Sequence, residues 1–285
     1  MSSKRENVML SYPVDEKRLS KLPDDVIFQR KLNGERVRIE WKDSLPYLYS
    51  SCGNIMPFFI KLKEELFDLK LYGINFDGEM YCHGMPRERI HSICSRRVNR
   101  HPDEDLLSLY AFDVVEEALN QKARILALNG LFFPGEFIVK VESIFAPKTE
   151  LVSLTDQFIK EGYEGAIIRH PQGLYTPRKT GLMLKFKPTE EDVYPIVGYT
   201  EEVDIHGWNK NRLGSVQVQD SDGHIFSIGT GNALDDEGRA FWWRPEKRQT
   251  LTKLFARVKH SAIMTVNGLP TCTSLLKIEF TGGDK

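Results

Sequence analysis

The sequence is poor in cysteine and has no long apolar run. Its four cysteines, Cys52, Cys82, Cys94 and Cys272, form no C-x-x-C pair, so we expect reduced thiols and no zinc site. No apolar stretch approaches the roughly 20 residues that a membrane-spanning helix requires. The opening residues, Met-Ser-Ser-Lys-Arg-Glu-Asn, contain no apolar run of the length that a secretory signal needs. These absences predict a cytoplasmic protein that does not bind a membrane.

The chain also lacks an excess of either charge. Its 285 residues carry 39 Lys and Arg against 40 Asp and Glu, which gives a formal net charge of −1. Overall charge therefore does not indicate a polyanionic partner. Hydrophobic residues make up 41% and charged residues 28% of the chain, which excludes a disordered protein. The length predicts about two domains and a substantial core.

Two local stretches are nevertheless basic. Residues 83–101 contain five arginines against one acid, and residues 239–260 contain seven Lys and Arg against one acid. Such stretches suit a nucleic-acid phosphate backbone, although a solvated helix face explains either stretch equally well when it is taken alone. The cations that we single out as DNA-contact candidates are Arg87, Arg89, Arg96, Arg97, Lys210, Arg212 and Arg248.

The hydrophobic pattern up to about residue 188 predicts an α+β domain with mainly antiparallel sheet. Strands are predicted at 26–32, 37–41, 47–51, 74–81, 106–115, 137–145, 164–170 and 182–187. Helices are predicted at 57–70, 86–98, 116–129 and 153–161. The strands and helices do not alternate regularly, so a parallel βα repeat is not expected.

The pattern of predicted secondary structure changes after Lys187-Pro188. Short strands are predicted at 193–200, 214–220, 224–229, 256–266 and 274–280, with one basic helical stretch among them. Five short strands in a segment of this length are typical of a small β-barrel such as an oligonucleotide-binding fold. We therefore predict a domain boundary near residue 188.

Five short motifs follow one another in the chain. They are Lys31–Arg36 (KLNGER), Phe76–Glu79 (FDGE), Leu109–Asp113 (LYAFD), Glu164–Arg169 (EGAIIR) and Leu184–Lys187 (LKFK). Each motif is weak alone, because a lysine before a turn is usually solvated and Asp-Gly-Glu occurs often by chance. Their shared order, with each on a predicted strand or strand end, is a strong signal.

This series resembles the motifs of the covalent nucleotidyltransferases, which comprise DNA ligases, RNA ligases and mRNA capping enzymes. Lys31–Arg36 is similar to the family's K-x-D-G-x-R, with Asn33 in place of the aspartate. Gly214-Ser215-Val216 and the segment Phe226–Gly231 resemble the oligonucleotide-binding domain of small ATP-dependent DNA ligases of phage and bacterial type. The resemblance runs from about residue 12 to the end of the sequence.

The resemblance implies a nucleotidyltransferase (adenylation) domain at 1–188 and a C-terminal oligonucleotide-binding β-barrel at 189–285. It implies ATP and Mg²⁺ (or Mn²⁺) as cofactors and nicked duplex DNA as the partner of a monomeric enzyme. Lys31 would attack the α-phosphate of ATP to form lysyl-AMP, and AMP would then pass to the 5′-phosphate at a nick. The 3′-hydroxyl would attack that activated phosphate and close the backbone.

The chemistry of the motif residues agrees with this implication. A lysine amine attacks phosphorus only when it is neutral, so Lys31 needs burial or nearby cations, and Lys185 and Lys187 are suitable neighbours. The carboxylates of Glu79 and Glu164 suit Mg²⁺. The nucleotide-binding roles implied by the resemblance are phosphate contact for Lys185 and Lys187, ribose or phosphate contact for Arg36, purine stacking for Phe112 and an adenine pocket lined by Gln29.

Departures from the family pattern keep alternatives open. Asn33 lacks the charge of the usual aspartate, and Ser50-Ser51-Cys52-Gly53 lacks the arginine of the family's Ser-Arg-x-Gly. In the final motif Lys277 keeps a positive charge, whereas Glu279 reverses it. An RNA ligase of the same superfamily is therefore one alternative. A nucleic-acid-binding module with a decayed ligase site is another. Taken singly, Phe112 also suits a core position, Glu79 a structural ion pair and Glu164 an exposed position after a helix.

Overall fold

The structure is a computed structural model that describes residues 8–261, 269–270 and 273–280. The chain divides into two compact units, residues 1–186 and 187–285. In the part of the chain that the structure describes, no helix is long and apolar enough to cross a membrane.

The first unit combines strands with helices. Its described strands are β1 (Leu10–Pro13), β2 (Asp25–Lys31), β3 (Glu35–Lys42), β4 (Leu45–Ser50), β5 (Phe76–Tyr81), β6 (Ser108–Val114), β7 (Ile138–Lys140), β8 (Ser143–Pro147), β9 (Gly165–Arg169) and β10 (Lys179–Phe186). Its described helices are α1 (Glu16–Leu19), α2 (Ile60–Asp68), α3 (Arg87–Cys94), α4 (Gln121–Gly130) and α5 (Leu151–Lys160).

These strands form two five-stranded sheets. Sheet A has the order β1-β10-β9-β2-β8, and sheet B has the order β4-β3-β5-β6-β7. Only the pairs β1–β10 and β6–β7 are parallel among the described pairings. The prediction of an α+β fold with mainly antiparallel sheet is therefore confirmed.

The sequence of β2 determines which of its side chains lie on each face of sheet A, because successive side chains of a strand point to opposite faces. Val26 and Phe28 enter a buried cluster with Ile168 of β9 and Phe158 of α5. Burial of each such side chain stabilises the fold by about 1.5–3 kcal/mol. Lys31 lies on the opposite face of the same strand.

Several predicted boundaries differ from the structure. Residues 137–145 were predicted as one strand but form β7 in sheet B and β8 in sheet A. The helix predicted from 116 begins at Gln121, since the Asn120 side chain caps it by accepting the N–H of Ala123. The helix predicted from 57 begins at Ile60, because Phe59 is left-handed with φ 63°. The short β1 and α1 were not predicted.

The second unit contains a third sheet. Its described strands are β11 (Thr189–Val203), β12 (Asn209–Gln219), β13 (Ile225–Ile228), β14 (Phe255–Ser261) and β15 (Ser274–Glu279), and its described helices are α6 (Asp236–Trp243) and α7 (Pro245–Arg248). The sheet is antiparallel with the order β13-β12-β11-β14-β15. Five strands and the basic helical stretch were predicted. Positions 262–266 of one predicted strand lie outside the described residues.

Closure of the third sheet into a barrel was also predicted. Among the described residues β13 and β15 are not paired as strands. Two hydrogen bonds connect the segments beside them: Leu275 N–H donates to the Thr230 carbonyl at 2.7 Å, and the Thr230 hydroxyl donates to the Thr273 carbonyl at 3.2 Å. The described part of this unit is thus an antiparallel five-stranded sheet without strand closure.

Candidate active site

Lys31 lies at the end of β2, where strand pairing brings it to Glu164. Lys31 pairs directly with Gly165 of β9, and the Glu164 N–H donates to the Lys31 carbonyl at 2.9 Å. The Lys31 ammonium forms an ion pair with the Glu164 carboxylate. The exposed fractions of these two side chains are 21% and 12%, so the pair is shielded and yet reachable from solvent.

Glu79 reaches the same place from sheet B, because Gly34 allows a close approach. The Gly34 N–H donates to Glu79 Oε1 at 2.6 Å. A Cβ at position 34 would lie 2.3 Å from the Met80 carbonyl oxygen, so only glycine fits. Burial raises the pKa of Glu79, and the charge of Lys31 together with the Gly34 N–H opposes that rise. Lys31, Glu79 and Glu164, predicted as one constellation, therefore lie together.

Arg36 is held inside the first unit by an acid. Its guanidinium makes two hydrogen bonds to Asp77, at 2.6 and 2.5 Å, and one to the Met9 carbonyl at 3.1 Å. Burial lowers the pKa of Arg36, but the attraction of Asp77 outweighs it and leaves that pKa above its ordinary value. Tyr175 also donates its hydroxyl to Asp77 at 2.7 Å. The sequence did not reveal the part played by Asp77 and Tyr175.

Phe112 is a buried residue with two guanidinium groups against its ring. The guanidinium carbons of Arg36 and Arg169 lie 4.6 and 5.2 Å from the ring centroid. This position agrees with the core role that the sequence left open for Phe112, and it places the ring directly beside Arg36. Stacking of a purine on Phe112 stays a prediction.

Gln29 is fixed by protein groups. It is 1% exposed, its amide nitrogen donates to the Phe112 carbonyl and to Ser143 Oγ, and its oxygen accepts from Arg169 Nε at 2.7 Å. The described hydrogen bonds of Gln29 thus position the backbone of Phe112. Direct contact with adenine stays a prediction.

A buried ion network lies behind Phe112. Asp113 accepts hydrogen bonds from Arg124 at 2.9 Å and from Arg169 at 3.0 Å. Both arginines also donate to the Gln121 side-chain oxygen. Asp113 and Arg169 belong to the motifs found in the sequence, but no role was predicted for either residue. Arg124 was missed because an arginine in an amphipathic helix normally indicates a solvated position.

Strand pairing places Lys185 relative to Lys31, but it does not place Lys187. Lys185 pairs with Ile167, which pairs with Gln29. Directly paired residues share a face, and Gln29 and Lys31 share a face on β2, so Lys185 lies on the Lys31 face of sheet A. Lys187 is the first residue of the second unit. Their contact with phosphates stays a prediction.

The arginines of the first basic stretch are largely neutralised by acids from other segments. Arg87 lies 3.7 Å from Glu35, and Arg89 lies 2.8 Å from Asp103. Arg96 and Arg97 are exposed and have no carboxylate partner among the residues that the structure describes. Of the four predicted DNA contacts here, these two have charge left for a phosphate.

The predicted DNA contacts of the second unit have partners within that unit. Lys210 and Arg212 both bind Glu202 at 2.5 Å, and Arg212 also binds Asp236 at 2.6 Å. Hydrogen bonds from Arg212 and Lys210 lower the pKa of Glu202 to about 2. Arg248 stacks over the Trp243 ring at 4.6 Å. DNA contact by these three cations stays a prediction.

The comparisons with known proteins point to one family. The family model described as ATP dependent DNA ligase domain matches residues 8–187. A DNA ligase of African swine fever virus is 32% identical over 194 residues, which cover 62% of this chain and 45% of that protein. A DNA ligase of Methanococcus aeolicus is 23% identical over 246 residues, which cover 74% of this chain and 41% of that protein. The chain thus spans less than half the length of these curated relatives.

Solved structures match over nearly the whole chain. A Lig E DNA ligase has a TM-score of 0.76 and 19% identity, over 96% of this chain and 99% of that one. The Chlorella virus DNA ligase-adenylate has a TM-score of 0.52 and 20% identity, over 98% and 99%. The ATP-dependent DNA ligase of bacteriophage T7 in complex with ATP has a TM-score of 0.54 and 16% identity, over 99% and 100%. These matches show a shared fold.

Proposed function

This chain belongs to the family of ATP-dependent DNA ligase domains, and from that premise we propose that it seals 5′-phosphate/3′-hydroxyl nicks in duplex DNA. The observation that carries the proposal is the meeting of Lys31 at the end of β2, Glu164 just before β9 and Glu79 within β5 of the other sheet. We further propose that residues 1–188 are the adenylation domain and 189–285 an oligonucleotide-binding domain. The enzyme would act as a cytoplasmic monomer.

Lys31 is the proposed nucleophile. Its nitrogen forms a bond to the α-phosphorus of ATP, the bond from that phosphorus to the bridging oxygen breaks, and pyrophosphate leaves. The Lys31 ammonium is ion-paired with Glu164, so the amine must first lose a proton. Glu164 is the carboxylate in contact with it and takes this proton before it binds a cation.

Glu79 and Glu164 fit a divalent cation. Both present carboxylate oxygens, the ligands that Mg²⁺ prefers. Burial raises the pKa of Glu79, and a cation at this place would favour its charged form. When bound, Mg²⁺ or Mn²⁺ would neutralise charge on the triphosphate as pyrophosphate leaves.

The nucleotide-binding part of the proposal uses the groups around Phe112. The pairing of Arg36 with Asp77 holds its guanidinium at the Phe112 ring, which supports a role near the ribose or phosphate. Gln29 holds the backbone of Phe112, and Arg169 packs against the same ring. Lys185, on the Lys31 face, and Lys187 are the proposed phosphate contacts.

Incubation with ATP and Mg²⁺, followed by intact-mass measurement and by sealing assays on matched DNA and RNA nicks, tests the proposal. We expect an AMP adduct on the wild-type protein and sealing of the DNA nick. Sealing of RNA alone would favour the RNA ligase alternative. A protein that binds nicked DNA but never acquires AMP would favour the decayed binding module.

A further inference from the structure

Beside the proposed site, four rings of the first unit form a cluster that the proposed reaction does not use. The cluster consists of Tyr81, His83, Tyr110 and Tyr163. The Tyr81 ring lies 5.1 Å from that of Tyr110, and the His83 ring lies 4.9 Å from that of Tyr163. Tyr81 is 4% exposed, whereas His83 is exposed. The cluster thus presents one imidazole at the surface, on one buried and two partly buried tyrosine rings.

The cluster adjoins the proposed site through both sheets. Tyr81 is two residues beyond Glu79 on β5, about 7 Å along the strand. Tyr163 immediately precedes Glu164 and packs against the hydrophobic clusters of both sheets. Successive base pairs of duplex DNA rise about 3.4 Å. A nucleotide within about three positions of a nick held at Lys31 would therefore lie within reach of this cluster.

The orientation of the His83 ring is set by Tyr81. The Tyr81 hydroxyl and His83 Nδ1 are 3.0 Å apart. When the hydroxyl donates to Nδ1, the hydrogen of the neutral imidazole lies on Nε2, which is then a donor.

The Nε2 edge of His83 lies against Gly162. Gly162 is left-handed with φ 88°, and a Cβ there would lie 3.2 Å from His83 Nε2. A side chain at position 162 would therefore crowd the Nε2 atom of this exposed imidazole. His83 is also the first residue of the basic stretch 83–101.

We propose that His83 contacts the nicked strand, by donating a hydrogen bond from Nε2 to a backbone phosphate next to the nick, with Tyr81 and Tyr163 as positioning residues. This inference rests on the proposed function, because it takes the nick to lie at Lys31. It adds a substrate contact that the motif series does not contain. The ligand class is a nucleic-acid phosphate.

Three variants test the proposal. His83→Ala removes the donor, His83→Gln keeps an amide N–H of similar reach, and Tyr81→Phe removes only the hydroxyl that orients the ring. The matched control is His170→Ala, in which a histidine of the same unit is removed. His170 lies five residues beyond Gly165, the strand partner of Lys31, about 17 Å along β9.

Each variant is compared with wild type in three assays: AMP adduct formation without DNA, equilibrium binding to a nicked duplex without ATP, and sealing of a pre-adenylated nick. We expect His83→Ala to keep adduct formation and to lose about tenfold in binding and in sealing at low DNA concentration, the effect of a hydrogen bond to a charged group. Saturating DNA should restore most of the sealing rate. His83→Gln and Tyr81→Phe should lose about threefold, and His170→Ala should match wild type.

The inference is overturned if His83→Ala matches His170→Ala in binding and sealing. It is also overturned if His83→Ala loses adduct formation to the same extent, since that would show support of the fold. The binding assay needs no reaction. A wild-type protein that forms no adduct would therefore count against the proposed function, while the binding of the His83 variants would still decide the contact.

Discussion

Two charged clusters of this protein differ in what surrounds them. In the first unit, Asp113 and Arg124 are fully buried, and Arg169 and Gln121 complete their hydrogen bonds. In the second unit, Glu202 binds Lys210 and Arg212 at 2.5 Å, but these side chains remain 21–36% exposed. A buried charge depends on its partner, because its hydration is lost, whereas water can replace a partner at the surface. Similar distances therefore indicate different energies.

Ion pairing with acids outside a basic stretch makes such stretches poor guides to basic surfaces. Residues 83–101 contain a single acid, yet Arg100 binds Glu104 and Asp105, and Arg89 binds Asp103, all just beyond that range. A window of sequence does not include the acids that the fold or the next turn supplies. The candidates that remain basic are those without such a partner.

The largest expected effect is on the proposed nucleophile of the first unit. Lys31→Ala should fold normally and never acquire AMP, and Lys31→Arg should fail likewise because a guanidinium is not deprotonated in proteins. Intact-mass measurement after incubation with ATP and Mg²⁺ is the assay. Lys160→Ala, which removes an exposed lysine at the end of α5, is the control and should keep the adduct. An AMP adduct on Lys31→Ala would move the nucleophile to another residue.

The next prediction compares how much the buried and the exposed charged clusters contribute to the free energy of unfolding. Arg124→Met removes the cation but not the volume at a fully buried position, which leaves Asp113 with one partner fewer. We expect the free energy of unfolding to fall by about 3–5 kcal/mol. Arg212→Met in the surface cluster should cost far less. Urea unfolding of both variants measures the difference, and equal losses would mean that burial does not separate the two clusters.

The features that the sequence predicts are those set by local residues, and the features that it misses are set by partners distant in the chain. Strands such as β2 and β3 are predictable because their apolar, β-branched and aromatic residues, and the turn residues between them, are local in the sequence. The division of 137–145 into β7 and β8 is not, since these residues have the composition of one continuous strand and their different sheets are set by distant partners. Lys31, Glu79 and Glu164 are predictable from motif order. Arg124 and Tyr175 are not, because the need for them arises from Asp113 and Asp77 after folding.

A smaller effect concerns the basic stretch that keeps its charge. Replacing Arg96 and Arg97 together by serine should weaken binding to nicked duplex and reduce the slope of log affinity against log salt by about 0.9 per lost phosphate contact. The matched control replaces Arg89 and Arg100, which bind acids, and should change the slope less. Fluorescence anisotropy over a salt series measures both. An unchanged slope for the Arg96 and Arg97 variant would show that these side chains face solvent.

The smallest effect tests a surface cation of the second unit. Lys277 is directly paired with Arg257 on β14, and Glu279 binds Arg257 at 2.9 Å and Lys277 at 3.6 Å. Because Arg257 already balances Glu279 and the Lys277 side chain is 68% exposed, Lys277 keeps a charge that a triphosphate could use. We predict that Lys277 contacts the triphosphate in the first step, before DNA is engaged. Lys277→Ala should therefore slow self-adenylation by about twofold to fivefold, the range of an exposed charge pair.

Sealing of a pre-adenylated nick by Lys277→Ala should be unchanged, because that substrate already carries AMP. Glu164→Ala should lose both activities, since a ligand for a divalent cation serves every phosphoryl transfer. Lys253→Ala, at an exposed position of the same unit, is the control and should match wild type in both assays. Equal losses of the two activities in Lys277→Ala would assign Lys277 to the fold or to DNA binding. An exposed charge would then contribute to stability or binding as much as a buried ion pair does, contrary to the difference expected between the Glu202 and Asp113 clusters.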